Sequence, residues 1–145
     1  MPAWSHLAGS FSLHYKKIMA KIKLGQKPKN FKRTVTFPMI DGTTGVIQMN
    51  FRYRTRSEFG AFIDEMLAEA GREKPANLDE FSMKDLMART AGANADYVMS
   101  VADGWDLEDE FSRANVEQLS DEVPAAVLNI MEAYKAAITE GRLGN

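Results

Sequence analysis

Residues 31–54 alternate between apolar and polar side chains on both sides of a turn, and this alternation limits the fold more than any other feature of the chain. Phe31, Val35, Phe37 and Met39 fall on one face, interrupted by Arg33, while Lys32, Thr34 and Thr36 fall on the other. Successive side chains of an extended strand point to opposite faces, so a period of two predicts a half-buried strand. Asp41-Gly42-Thr43-Thr44-Gly45 supplies turn chemistry. Ile47, Met49, Phe51 and Tyr53 then alternate with Gln48, Asn50, Arg52 and Arg54. The pair reads as a β-hairpin with one apolar face and one basic or polar face. Two strands alone are marginal, so the apolar face must pack on helices or the edges must pair with another copy.

From Thr55 the period changes to that of a helix. Thr55-Arg56-Ser57-Glu58 matches a capping box, with Thr55 as N-cap and Glu58 reaching back. Phe59, Phe62, Ile63, Met66, Leu67 and Ala70 form one stripe, Gly71 ends it, and Asp64, Glu65 and Glu69 lie outside. This stripe is the expected cover for the hairpin, giving a ββα unit. After a Gly/Lys/Pro loop at 71–77 the pattern stays helical. A short helix holds Phe81, Met83, Leu86 and Met87, and the next holds Tyr97, Val98, Val101 and Ala102 and stops near Gly104. Ser112 caps another, with Val116 and Leu119 inward. Pro124 opens the last. Its stripe is Val123, Val127, Ile130, Met131, Tyr134 and Ile138, widened by Ala126, Ala133 and Ala137. The expected class is α+β, an N-terminal β-hairpin packed on a mostly helical domain of about five helices.

The chain has 145 residues, the size of a single domain with a real core. Apolar residues at 45% and charged ones at 26% exclude disorder over most of the length. Residues 1–30 read as a flexible basic N-terminal extension and residues 31–145 as a single α+β domain. Residues 1–18 show no consistent period, and Lys16-Lys17 follow the apolar stretch instead of preceding it, unlike a secretory leader. Met19 opens a cleaner beginning, MAKIKLGQ, and is expected as the natural start. No apolar run approaches the roughly 18 residues of a membrane span.

Composition also removes several chemistries. There is no cysteine, so no disulfide, thiolate zinc site or cysteine nucleophile. His6 and His14 precede the patterned part, which excludes a Ser-His-Asp triad or histidine metal site in the body of the domain. Phosphate-cradling glycine motifs and the G-x-S-x-G elbow are missing. No catalytic residue, cofactor or metal is therefore expected. Asp103, Asp106, Glu108, Asp109 and Glu110 place five carboxylates in eight positions, but miss the EF-hand spacing. They read as helix-capping and solvating residues of a loop around Trp105. A carboxylate enzyme or ion site there ranks third among the readings, and predicts ion-dependent thermal stability.

Charge is unevenly placed. Residues 1–56 carry a net charge of +10 and residues 57–145 a net of −12. Such halves attract, within one chain or between copies. The candidate self-association residues are Lys32, Arg33, Arg52 and Arg54 against Asp106, Glu108, Asp109 and Glu110. The alternative is a small nucleic-acid-binding regulator using the basic arm and hairpin, with Phe31 and Tyr53 interleaved. Both aromatics, however, fall on the apolar face, which makes them core by preference. Met66, Met83, Met87, Met99 and Met131 sit on or near apolar helix faces, as gap-fillers or as part of an adaptable binding surface. The stripe Val123, Val127, Ile130, Met131, Tyr134 and Ile138 is wider than a small domain needs, and is the candidate partner-binding face.

MAKIKLGQ, the hairpin exit Tyr53-Arg54-Thr55-Arg56-Ser57-Glu58-Phe59, the segment Gly104-Trp105-Asp106-Leu107-Glu108-Asp109-Glu110-Phe111 and the closing Pro124-Ala125-Ala126 helix together resemble the tail assembly chaperones of long-tailed, siphovirus-type bacteriophages. The resemblance runs from about Met19 to Asn145, and Val101–Leu107 is its most specific element. It implies a small protein of the host cell cytoplasm, absent from the finished virion. Such a protein coats the aggregation-prone tape measure protein, helps bring tail tube subunits to it and often forms homo-oligomers. Neither membrane nor nucleic acid is implied as a partner. A longer product made by ribosomal frameshift near the gene's end is also implied. Leu143-Gly144-Asn145 permits the codons CTG GGA AAC, which contain a slippery heptamer.

Overall fold

The computed structural model describes residues 21–26, 28–69 and 91–141. Strands β1 (Asn30–Pro38), β2 (Thr44–Arg52) and β3 (Ala102–Trp105) form one antiparallel sheet in the order β1-β2-β3. Four helices lie among the described residues: α1 (Arg56–Glu69), α2 (Ala91–Val101), α3 (Arg113–Glu122) and α4 (Pro124–Glu140). The class is α+β, as the patterning requires. The helix expected around Phe81–Met87 falls outside the described residues.

The hairpin follows the alternation closely. Phe31 pairs with Phe51 and Val35 with Ile47, so the apolar side chains of both strands share one face. Asp41 builds the turn by accepting from the Thr43 amide at 3.0 Å and the Thr43 hydroxyl at 2.6 Å. The hydroxyl, and then the amide, hold the Asp41 carboxyl below its usual pKa. Gly42, at φ +88°, takes the left-handed position that disfavours a Cβ. Gly45 serves packing instead. A Cβ there would lie 2.2 Å from Cε2 of the Phe37 ring, which is 6% exposed. Gly45→Ala is therefore expected to cost about 1–3 kcal/mol, because the buried ring must leave its position. Urea unfolding of the two proteins checks this, and an unchanged midpoint would refute it.

Both hairpin ends fix which way the β1 backbone faces. Tyr53 N–H donates to the Lys29 carbonyl at 3.1 Å, and Met39 N–H to the Thr43 carbonyl at 2.8 Å. Because antiparallel pairs alternate, the odd-numbered residues of β1 bond to β2 and the even-numbered ones face outward. Two outward carbonyls have side-chain donors: Arg33 reaches that of Lys32 at 2.8 Å, and Asn129 of α4 reaches that of Thr36 at 2.7 Å. Pro38, at the end of the strand, has no N–H to offer.

Residues 102–105 depart from the expected helix. They form β3, with Ala102 opposite Phe51 and Met49 opposite Trp105. The register shifts between Asn50 and Phe51, leaving Asp103 as an extra residue on β3. Four residues are too few to display a period of two, and the apolar spacing of Val98, Val101 and Ala102 also suits a helix. What decides is the free edge of β2, whose backbone groups need partners.

The cover of the hairpin also differs from expectation. The C-terminal helix α4, and not α1, is its main cover: α4 lies on β1 and also touches β2, while α1, α2 and α3 pack against α4. The core stripe of α1 is as patterned, with Phe59, Phe62, Ile63, Met66 and Leu67 buried. Its capping box is formed, with Thr55 N–H donating to Glu58 at 2.8 Å and Glu58 N–H to Thr55 Oγ1 at 3.1 Å. Since α4 is enclosed from the sheet side and the helix side, its apolar stripe is broad, and small Ala126 and Ala133 let neighbours approach. Ser112 caps α3, accepting from Asn115 N–H at 3.2 Å, and Pro124 opens α4.

Candidate functional site

Four of the six residues of the α4 stripe are wholly enclosed. Val127, Ile130, Met131 and Tyr134 are 0% exposed, and only Val123 and Ile138 lie half-buried at its ends. Tyr134 stands at the centre of an aromatic cluster, with ring centroids 5.2 Å from Phe51, 5.7 Å from Phe59 and 6.3 Å from Phe31. Its hydroxyl donates to the Arg52 carbonyl at 2.8 Å and accepts from Arg54 at 3.2 Å. Burial raises its pKa, opposed by the Arg54 hydrogen bond and charge. A partner reaches these four side chains only if α4 leaves the sheet. Met99 is half-buried against the core and Met66 is 6% exposed, while Met83 and Met87 fall outside the described residues.

The basic residues of the hairpin divide into engaged and exposed groups. Arg33 stacks on Phe31 at 4.9 Å from the ring centroid, and Arg54 on Phe62 at 4.5 Å. Arg56 donates to the Thr139 carbonyl at 3.2 Å. Lys32 and Arg52 remain on the solvent face of the sheet. Phe31 packs 5.7 Å from Phe51, in the core cluster, and gives no free stacking platform for a base.

The acidic residues do several separate jobs. Asp103, on the bulge, accepts from Asn30 at 2.6 Å and Asn50 at 2.5 Å, tying the start of β1 to β3 across the sheet. Asp106 accepts from the Gln48 amide at 2.8 Å and extends the pairing past the end of β3. It does not cap a helix, because Ser112 has that position. Lys32 and Asp106 line one shallow depression of about 280 Å³ on the solvent face. Glu108, Asp109 and Glu110 are exposed in the loop that follows. Among the described residues no group of three or more His, Cys, Asp or Glu could hold a metal ion. None of the described helices is long and apolar enough to cross a membrane.

A second depression, of about 90 Å³, lies between this loop and α3. Trp105, Leu107 and Leu119 supply its apolar wall, and Asp109 and Glu122 are among its polar lining. The indole is fixed, donating to the Asp109 carbonyl at 2.7 Å and meeting Phe111 edge-on at 5.1 Å. No motif marks this site in the sequence, because its walls come from β3, the loop and α3.

One buried polar group serves neither surface. The Tyr97 hydroxyl is enclosed beside Phe62 (centroids 5.2 Å apart) and has no hydrogen-bond partner among the described residues. Burial raises its pKa well above the usual phenol value, assisted by Tyr134 and Glu132. Tyr97→Phe is expected to stabilise the domain by about 1–3 kcal/mol, the cost of an unsatisfied buried polar group. The native state holds the neutral phenol, so its stability is intact below the unfolded value of about 10 and falls as pH rises beyond it. Urea melts across that range should show less alkaline loss in Tyr97→Phe; an identical decline would count against this account.

The described residues form an α+β domain, a three-stranded antiparallel sheet covered by helices, with two shallow depressions on its surface. Residues 19–145 match the family model described as phage tail assembly chaperone, and the chain belongs to that family. No curated protein and no solved structure matches it.

Proposed function

We propose that this chain binds the tape measure protein of a long-tailed phage, keeps it soluble and helps recruit tail tube subunits during tail assembly. It acts as a binding protein and not an enzyme, works in the host cytoplasm, stays out of the finished virion and self-associates. The observation that carries this reading is the family match across nearly the whole patterned chain. The uneven charge supports self-association, and the solvent face of the sheet, with Val46 at 55% and the turn residue Ile40 fully exposed, is open to a partner.

The test is a tagged pull-down, starting at Met19, from phage-infected cells after nuclease treatment. Recovery of a very long helical protein together with a tube subunit is the expected outcome. A heavier product sharing the tagged N-terminus would add the frameshift. Material that comes down before nuclease and vanishes after it would replace the chaperone reading with nucleic-acid binding, which also requires a steep salt dependence.

A further inference from the structure

We infer that the arm segment Lys21–Leu24 of one copy docks in the depression formed by Trp105, Leu107 and Leu119 of a second copy. This rests on the proposed self-association and names its surfaces. Ile22 and Leu24 are 87% and 90% exposed, among the most exposed large apolar side chains described. They alternate with exposed Lys21 and Lys23, so docking in extended form, with the turn at Leu24-Gly25 opened, places two aliphatic groups on one side and two ammonium groups on the other. The depression offers the complementary pattern. Its apolar wall has room for one aliphatic side chain, the fixed indole keeps it open without a partner, and Asp109 and Glu122 bring carboxylates to it.

The arm stands clear of its own domain. Gln26 N–H turns back to the Lys23 carbonyl at 3.4 Å, with Gly25 at φ +86°. Asn30 is meanwhile held by Asp103 on the solvent face of the sheet. Donor and acceptor surfaces are different parts of the chain, so copies join either by reciprocal exchange of arms in a two-fold dimer or head to tail in a ring or an open helical array. Opposite charges across it set orientation and make assembly sensitive to salt.

Charge exchange in the full chain tests this by sedimentation. Lys21→Glu/Lys23→Glu and Asp109→Lys/Glu122→Lys alter exposed side chains and should fold. Each should weaken self-association by about a hundredfold, and an equimolar mixture of the two should restore it, since each arm then meets an opposite charge. Raising salt should weaken the wild-type assembly. A wild-type chain that stays monomeric would overturn both self-association and this contact. Wild-type assembly unaffected by either variant, or a mixture that stays dissociated, would overturn the contact alone. A monomer whose melting temperature falls in both variants would place the arm on its own domain and equally overturn it.

Discussion

Ile130→Asp is expected to leave the domain unfolded at room temperature, whereas Ile138→Asp on the same helix should fold with a loss of about 1 kcal/mol or less. The two residues share one apolar stripe, but Ile130 is 0% exposed beneath the sheet and Ile138 is half-buried near the end of α4. A carboxylate at 130 must lose its water or take up a proton without a partner, a cost of several kcal/mol. Domains of this size have about 5–15 kcal/mol in total, and the lost packing of the isoleucine adds about 2–5 kcal/mol more. Far-UV circular dichroism with urea unfolding separates the pair. A well-folded Ile130→Asp that merely lost a partner would make the stripe an exterior surface.

The second large effect is expected at Tyr134. Tyr134→Ala removes the ring that joins Phe31, Phe51 and Phe59, and should cost about 3–5 kcal/mol. Tyr134→Phe keeps the ring but removes both hydroxyl contacts, those with the Arg52 carbonyl and Arg54, and should cost about 1–2 kcal/mol. Equal losses in the two variants would make the hydroxyl, not the ring, the main contribution. The difference between their unfolding midpoints reads the ring directly.

These residues also show where local pattern stops being informative. The hairpin is legible because alternation, turn chemistry and a capping box all act over a few residues, and each appears in the fold with its expected partners. The stripe on α4 is legible as apolar but not as enclosed. Its width reflects burial by a sheet on one side and three helices on the other, and a linear pattern cannot distinguish that from a surface kept open for a partner. Similarly, β3 exists because β2 has an edge to fill, and nothing within Ala102–Trp105 states this. The depression at Trp105 is assembled from three elements, so only folding brings its walls together.

The edge of β1 has a consequence for the proposed self-association. A nine-residue outer strand is a template on which further strands can grow, and growth of that kind ends in aggregates. Here the template is incomplete. Arg33 and Asn129 occupy two of its outward carbonyls, Pro38 removes a donor, and exposed Lys32 sets like charges against any second copy laid alongside. Crowding is thereby steered away from sheet growth, and close neighbours can be held at high local concentration without fusing through their backbones.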